Sequence, residues 1–299
     1  MNLFRDNKME KRVLVPIDFS EISKEVIHFA CERAAKNDST LYFVHVAMPL
    51  GYPGYSGEIV EFPDEKMIKK KIEDFLNPLN IKVKYDIFAL FGIPYLEILN
   101  KEKQINADLI IMAAHSHTLL GRIFLGGNTD YVLHHCSCPL YVYRKFKTGK
   151  VQKIMLPLDY TDINLKVVEL ADQWAQESGA ELYFIHVGPK RKKNKKGSSF
   201  FLRKYETEPE VPDEEIGIHE QALQDFIKLL KVNSPHQSAL RFGKPYHEIL
   251  NYQKEIQADL IMMADHSHSF VGRLFTGSNT DYLLNHTDSL MYVYKEKLS

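Results

Sequence analysis

Thirteen of the 299 residues are histidine, and four of these form two His-x-His pairs, His115-Ser116-His117 and His266-Ser267-His268. In an extended segment residues two apart point to the same side, so both imidazoles of a pair could grip one metal ion, and two pairs would supply four zinc ligands. Such a pair alone is a weak motif, and hydrogen-bonded loop histidines are the competing reading. The run His134-His135-Cys136-Ser137-Cys138 resembles a metal cluster, but its counterpart in the second half, Asn285-His286-Thr287-Asp288-Ser289, keeps one His and no Cys. A structural role is expected there, since thiols of this kind are often simply buried. Arg122 and Arg273 have the fork geometry to hold a phosphate, or equally to cap carbonyls or face solvent. The chain has no Gly-x-x-x-x-Gly-Lys-(Ser/Thr) loop, and no Ser-His-Asp or paired-carboxylate arrangement is assignable from it. Binding without turnover is therefore expected, with no catalytic residue assigned and weak ATP hydrolysis left open.

These residues sit in a repeated frame. LYFVHV at 41–46 returns as LYFIHV at 182–187, FGIPYLEILN at 91–100 as FGKPYHEILN at 242–251, ADLIIMAAHSH at 107–117 as ADLIMMADHSH at 258–268, and GRIFLGGNTDY at 121–131 as GRLFTGSNTDY at 272–282. Between the first two blocks the spacing lengthens by about ten residues in the second copy, an insertion most cheaply carried by a surface loop. Within one copy, RVLVPID reads as a buried strand, and Ser20 as the N-cap of a helix through about Asn37. LYFVHV is a strand, 49–57 a Gly/Pro/Tyr loop, 64–76 a charged helix, and KVKYDIFAL an alternating strand. PYLEILNKEKQI is a helix with Pro94 in its first turn, and ADLIIMAA and CPLYVYR are the last two strands. This order predicts an α/β fold of two doubly wound, five-stranded parallel-sheet domains covered by helices on both faces. KFKTGK at 145–150 reads as the linker between domains 1–147 and 148–299, and a linker this short predicts that the two pack as an intramolecular pseudo-dimer; a further dimer is left open.

Lys+Arg number 38 against Asp+Glu 39, for a formal net charge of -1, so no global field draws the chain to nucleic acid or anionic lipid. Lys190-Arg191-Lys192-Lys193-Asn194-Lys195-Lys196 is a local exception inside the insertion. Acidic residues from Glu206 to Glu215 balance it, so a solvated loop is expected in preference to a nucleic-acid contact. The N-terminal dozen residues lack a signal-like apolar core, and no run reaches the ~18–20 apolar residues that span a bilayer, so the reading is a cytoplasmic protein with no membrane partner. Cys31, Cys136 and Cys138 are too few for a disulfide framework. Tyr141, Tyr143, Tyr292 and Tyr294 alternate along the last strands as packing residues and are candidates for an interface between the copies.

In open doubly wound sheets ligands lie beyond the carboxyl ends of the strands, where strand order reverses. With the first and fourth strands central, Pro16–Ser20 meets Ala113–Gly127, and Pro157–Thr161 meets Ala264–Ser278. VPIDFS, LYFVHV, GIPYLEI, ADLIIMAAHS and FLGGNTDYVLHHCSCPLYVYR follow one another here, and the second half repeats the series through MYVYK. This series resembles the universal stress protein family, whose halves carry V-x-x-D-x-S, L-x-x-x-H-V, G-x-P-x-x-x-I, A-D-L-I-V-M-G-x-H-G and L-G-S in that order. The resemblance covers nearly all of both halves. It implies an adenine nucleotide alpha hydrolase-like fold with strand order 3-2-1-4-5, non-enzymatic stress-response partners of unknown identity, and in some members ATP or AMP at a loop of pattern G-x-x-G-x9-G-(S/T).

Carried over residue by residue, the resemblance places Asp18 and Asp159 where the first-strand Asp meets the ligand, and Val46 and Val187 where an apolar side chain flanks the base. Ala113 and Ala264 replace the first loop glycine, Ser116 and Ser267 replace the second, and Gly126 and Gly277 keep the third. Gly127-Asn128-Thr129 and Ser278-Asn279-Thr280 follow. A Cβ in place of glycine obstructs close backbone approach, so weakened nucleotide binding is expected, better kept in the second copy with Gly277-Ser278. Zinc on the histidine pairs, or a purely structural role with degenerate loops, is the alternative.

Overall fold

The structure is a computed structural model that describes residues 10–48, 63–114, 117–119, 122–124, 127–145, 150–191, 210–211, 216–265 and 278–296; of the side chains at 117–119, 122–124, 190–191, 210–211, 278–279 and 281 nothing is described. The chain divides into two compact units, Met1–Lys145 together with Tyr292–Ser299, and Phe146–Met291.

The first unit runs β1 (Arg12–Pro16), α1 (Glu21–Asn37), β2 (Thr40–Ala47), α2 (Glu65–Leu76), β3 (Tyr85–Phe91), α3 (Pro94–Ile105), β4 (Leu109–Ala113), a short hairpin of β5 (His117–Leu119) and β6 (Arg122–Phe124), α4 (Gly127–His135) and β7 (Leu140–Tyr143). Its large strands lie in the order β3-β2-β1-β4-β7, each pair parallel, which is the 3-2-1-4-5 order expected. The sequence repeat then gives the same series as β8 (Lys153–Leu158), α5 (Asp162–Ser178), β9 (Glu181–Gly188), the two-residue strands β10 (Lys190–Arg191) and β11 (Glu210–Val211), α6 (Ile216–Leu229), β12 (His236–Phe242), α7 (Pro245–Ile256), β13 (Leu260–Ala264), α8 (Ser278–His286) and β14 (Leu290–Tyr294). Here β12, β9, β8 and β13 are parallel neighbours, and β14 enters beside β13, where the Leu290 N–H donates to the Asp259 carbonyl at 2.9 Å.

Burial follows from strand position. β4 and β13 are buried along their whole length, as central parallel strands with helices on both faces must be. α2 buries Ile68, Ile72 and Leu76, spaced by one turn, and turns its lysines outward. Tyr141 and Tyr143 lie against Phe29 of α1, with ring centroids 4.5 and 5.7 Å away, in the sheet-packing role expected. Cys136 and Cys138 are buried, and the Cys136 thiol donates to the Leu133 and Cys138 carbonyls, so this run is structural. Two stretches read as loop have strand geometry instead. His117–Leu119 pairs antiparallel with Arg122–Phe124, and Lys190–Arg191 at the start of the basic run pairs parallel with Glu210–Val211. Among the described residues no helix is long and apolar enough to cross a membrane.

At the amino ends of the strands, the first unit's Asp108 accepts from the backbone N–H of Lys11 and Arg12 at 3.2 and 3.0 Å, and from the Arg12 guanidinium at 3.2 and 3.1 Å. Asp259 accepts from Gln152 and Lys153 N–H at 2.8 and 3.0 Å in the second. Buried Glu102 accepts from the Ser137 N–H and hydroxyl, whereas Gln253, at the same place in the second copy, donates to Asp288 and Ser289.

The turn from β3 into α3 depends on Gly92, held at φ +140, where an added Cβ would meet the Glu97 side chain at 3.2 Å; Gly243 repeats this at φ +148. Glu97 and Glu248 lie in the first turns of α3 and α7. Gly92→Ala is expected to cost about 1–3 kcal/mol, through backbone strain at positive φ together with displacement of Glu97. Urea denaturation of the variant beside the parent chain measures that loss.

Candidate functional site

At the carboxyl end of β1 the chain makes a tight, side-chain-locked turn. Asp18 Oδ1 accepts from the Ser20 N–H at 3.1 Å and from the Ser20 and Ser23 hydroxyls at 2.6 Å each, while the Asp18 N–H donates to Ser23 Oγ at 3.3 Å. Ser20 in turn caps α1 by accepting from the Ser23 N–H at 3.3 Å. The second unit keeps the logic with different residues. Asp159 Oδ1 accepts from the Thr161 N–H and hydroxyl at 3.2 and 2.6 Å, and the Asp159 N–H donates to Asn164 Oδ1 at 2.7 Å.

Between the Asp and the cap stands an aromatic residue in the left-handed region, Phe19 at φ 64 and Tyr160 at φ 63. Such backbone is costly for a bulky side chain and persists where surrounding contacts determine it. The contacts are aromatic. Phe19 lies against His45 of β2 with centroids 4.2 Å apart and against Phe75 of α2 at 5.4 Å, under the Lys71 ammonium at 4.5 Å. Tyr160 stacks on His186 of β9 at 4.2 Å and meets Phe226 of α6 at 5.1 Å; its hydroxyl is sealed from solvent with no partner among the described residues. His45 Nδ1 is 2.9 Å from the Ile17 carbonyl and His186 Nδ1 is 2.8 Å from the Leu158 carbonyl. A carbonyl only accepts, so Nδ1 carries the proton and Nε2 is the bare nitrogen of each neutral ring. Burial lowers the pKa of both histidines, against the pull of the carbonyls and of Asp18 and Asp159; Lys71 adds to the lowering at His45 and His219 at His186.

Strand register brings the expected residues to one edge. Pro16 pairs with Val44, which sets half-buried Val46 beside the Asp18 turn, and Leu158 pairs with His186, which sets Val187 beside Asp159. Ala113 and Ala264 end the neighbouring strands β4 and β13, both buried. α4 opens at Gly127, with Gly127 and Asn128 exposed, and the Thr129 hydroxyl ties that helix start to the Ala113 carbonyl at 3.3 Å. α8 opens at Ser278, followed by Asn279 and buried Thr280. A Cβ added at Gly127 would meet nothing within 4 Å, so Gly127 against Ser278 is a difference the first unit could accommodate.

Ser116, Gly126, Ser267, Gly277, Arg273, His115, His266 and His268 lie outside the described residues, and of His117 and Arg122 only the backbone is described. Among the described residues no group of three or more His, Cys, Asp or Glu is placed to hold a metal. Reasoning from sequence missed Phe19, Tyr160, His45 and His186 as one unit. The signal was the histidine repeated in LYFVHV and LYFIHV, together with an aromatic residue after each Asp.

The family model described as universal stress protein family matches residues 9–144 and again 150–295. The chain is 32% identical over 133 residues to universal stress protein A homolog 1 of Coxiella burnetii, covering 43% of this chain and 92% of that protein. It is 28% identical over 144 residues to a universal stress protein of Methanocaldococcus jannaschii, covering 46% of this chain and 84% of that one. A solved universal stress protein from Archaeoglobus fulgidus has a similar fold, at TM-score 0.62 and 17% identity over 97% of each chain. So does a putative universal stress protein from Pseudomonas aeruginosa, at TM-score 0.69 and 13% identity over 96% of this chain and 94% of that one.

Asp18→Ala removes the acceptor that orders the β1–α1 turn and is expected to cost about 1–2 kcal/mol, read as a lower urea midpoint. The two histidines also fix a pH dependence. Their folded pKa values lie below the unfolded value, so the unfolded chain binds more protons in that window. Stability is therefore full above the unfolded value of about 6.5 and declines as pH falls below it. Thermal melts in a pH series check the sign.

Proposed function

The chain belongs to the universal stress protein family as two family units in tandem, and on that premise we propose that it acts by binding an adenine nucleotide, ATP or AMP, at the carboxyl edge of its parallel strands. The observation that carries this reading is a convergence found in both units. An Asp-locked turn after the first strand, an apolar Val at the end of the second, and a helix opening after the fourth lie along one edge, and β1 and β4 are the neighbours from which the chain departs in opposite directions. That is the switch point at which doubly wound sheets take ligands.

Each part has a chemical use. Exposed backbone N–H groups at the start of α4 suit phosphate oxygens, aided by the helix dipole. Val46 and Val187 give an apolar face for a base, and the Asp turns supply backbone already fixed by their side-chain bonds. Preorganisation of this kind lowers the ordering cost of binding. The proposal is for binding rather than turnover, with a protein partner reading the occupied state. The second unit, with Gly277-Ser278 in its loop, is the stronger of the two sites.

Thermal shift and calorimetry with ATP and AMP on the full chain test this. Millimolar nucleotide is expected to raise the melting temperature. Val187→Trp, which fills the edge and leaves Asp159 and Thr161 themselves unchanged, is expected to remove most of the shift, and Val46→Trp the smaller remainder. No shift with either nucleotide up to several millimolar would overturn the proposal.

A further inference from the structure

Differences between the two copies gather at one spot, beneath the helix that follows the second strand. Where the first unit has Phe19, Ala47, Ile68 and Lys71, the second has Tyr160, Gly188, His219 and Ala222. Ile68 is buried at 7% exposure in the apolar stripe of α2, whereas His219 is half-buried in the opening turns of α6. Gly188 leaves room for the Phe242 ring, which a Cβ there would approach to 3.0 Å, while the same Cβ would lie at an ordinary contact distance of 3.7 Å from His219 Nδ1. His219 packs edge-on to Phe242, with centroids 5.9 Å apart, and beside His186, at 6.3 Å and near parallel.

The helix carrying His219 is weakly anchored. α2 buries Ile68, Ile72 and Leu76, but α6 buries Leu223 alone among its described side chains, and Ile218 and Leu229 are 67% and 71% exposed. Elements with few buried apolar contacts are the ones that open locally. The groups facing His186 are Tyr160 and Asp159 from the β8–α5 turn, the Leu158 carbonyl from β8, and His219 from α6; His219 faces His186, Gly188 and Phe242. Asp159 is the attractive charge in this set, and its Oδ1 already accepts twice from Thr161.

We propose that His186 and His219 form an acid-released latch that holds α6 on the second unit's sheet at neutral pH and lets it go when they protonate. Two neutral imidazoles pack as aromatic rings. Two imidazolium ions set side by side among Tyr160, Phe226 and Phe242 repel each other and lose hydration, and moving the first turns of α6 into water relieves both costs. Opening uncovers Tyr160 next to the Asp159 turn and carries Phe226 away with the helix, while α2, with Ile68 at the matching position, stays docked. The latch rests on the packing of α6 and does not depend on nucleotide binding.

Hydrogen exchange of the full chain, read by mass spectrometry near pH 7.5 and 5.5 and corrected for intrinsic rates, tests it. Peptides within 216–229 are expected to lose protection about tenfold or more at the lower pH, while those within 65–76 change little. His219→Ile, the first unit's residue, and His219→Gln, a polar side chain that does not titrate, are each expected to hold the protection of 216–229 to within about twofold. An unchanged acid response in either folded variant overturns the latch, as does no acid response in the parent chain. In the parent chain itself, the imidazole resonances of His186 should titrate together with the amide signals of α6; a separate midpoint would also overturn it.

Discussion

The pairing of β1 with β4 depends on one carboxylate in each unit. Asp108 sits just before β4 and reaches across to the start of β1, taking two backbone N–H groups and both arms of the Arg12 guanidinium. A bidentate, charge-assisted contact of this kind fixes orientation as well as distance. It aligns the amino ends of two parallel strands whose connecting chain is most of the unit. With those ends aligned, equal strand lengths bring Asp18 and Ala113 out at the same opposite edge, and the switch point exists. Asp259 repeats the device on the backbone N–H groups of Gln152 and Lys153 without an arginine fork.

Duplication shows which constraints are geometric and which are chemical. Backbone demands are kept to the letter: positive φ at Gly92 and Gly243, left-handed aromatic residues at Phe19 and Tyr160, and a carbonyl-bound histidine at His45 and His186. Side-chain chemistry is exchanged where a partner can change with it. Ser23 gives way to Asn164, so the bond to the Asp backbone survives with a new acceptor. Glu102 receiving from Ser137 becomes Gln253 donating to Asp288, a reversal of polarity across one buried contact. A buried polar group tolerates replacement when its partner is replaced in a complementary way, because the cost lies in the unmade bond.

The second helix of each unit is where this tolerance was used most. In the first unit it is an amphipathic helix with three buried aliphatic residues and a lysine over Phe19. In the second it follows the inserted segment, keeps Leu223 as its buried anchor, and brings an imidazole to the sheet. The Asp turns beside these helices are held by their own serine, threonine and asparagine partners. That local closure separates the candidate ligand edge from changes in the helix packed next to it.

Much of the fold was legible in order of residues alone. The repeat, the alternation of strand and helix, the N-cap at Ser20, Pro94 opening its helix and the central burial of ADLIIMAA all follow from local periodicity and capping chemistry, which neighbouring residues carry among themselves. Asp18, Ala113 and their second-copy equivalents could be placed at one edge because strand order implies which ends meet, whereas Val46 and Val187 were assigned through the resemblance to the family. The partners could not be read this way. Asp108 finds Arg12 across 96 positions and His186 finds Leu158 across 28, through a register that exists only after helices have crossed over the sheet. That the imidazole of His219 comes to lie beside His186 was decided by how α6 packs on the sheet, which no local pattern around either residue announces. Local pattern determines which face a residue shows; packing across the sheet determines what it meets there.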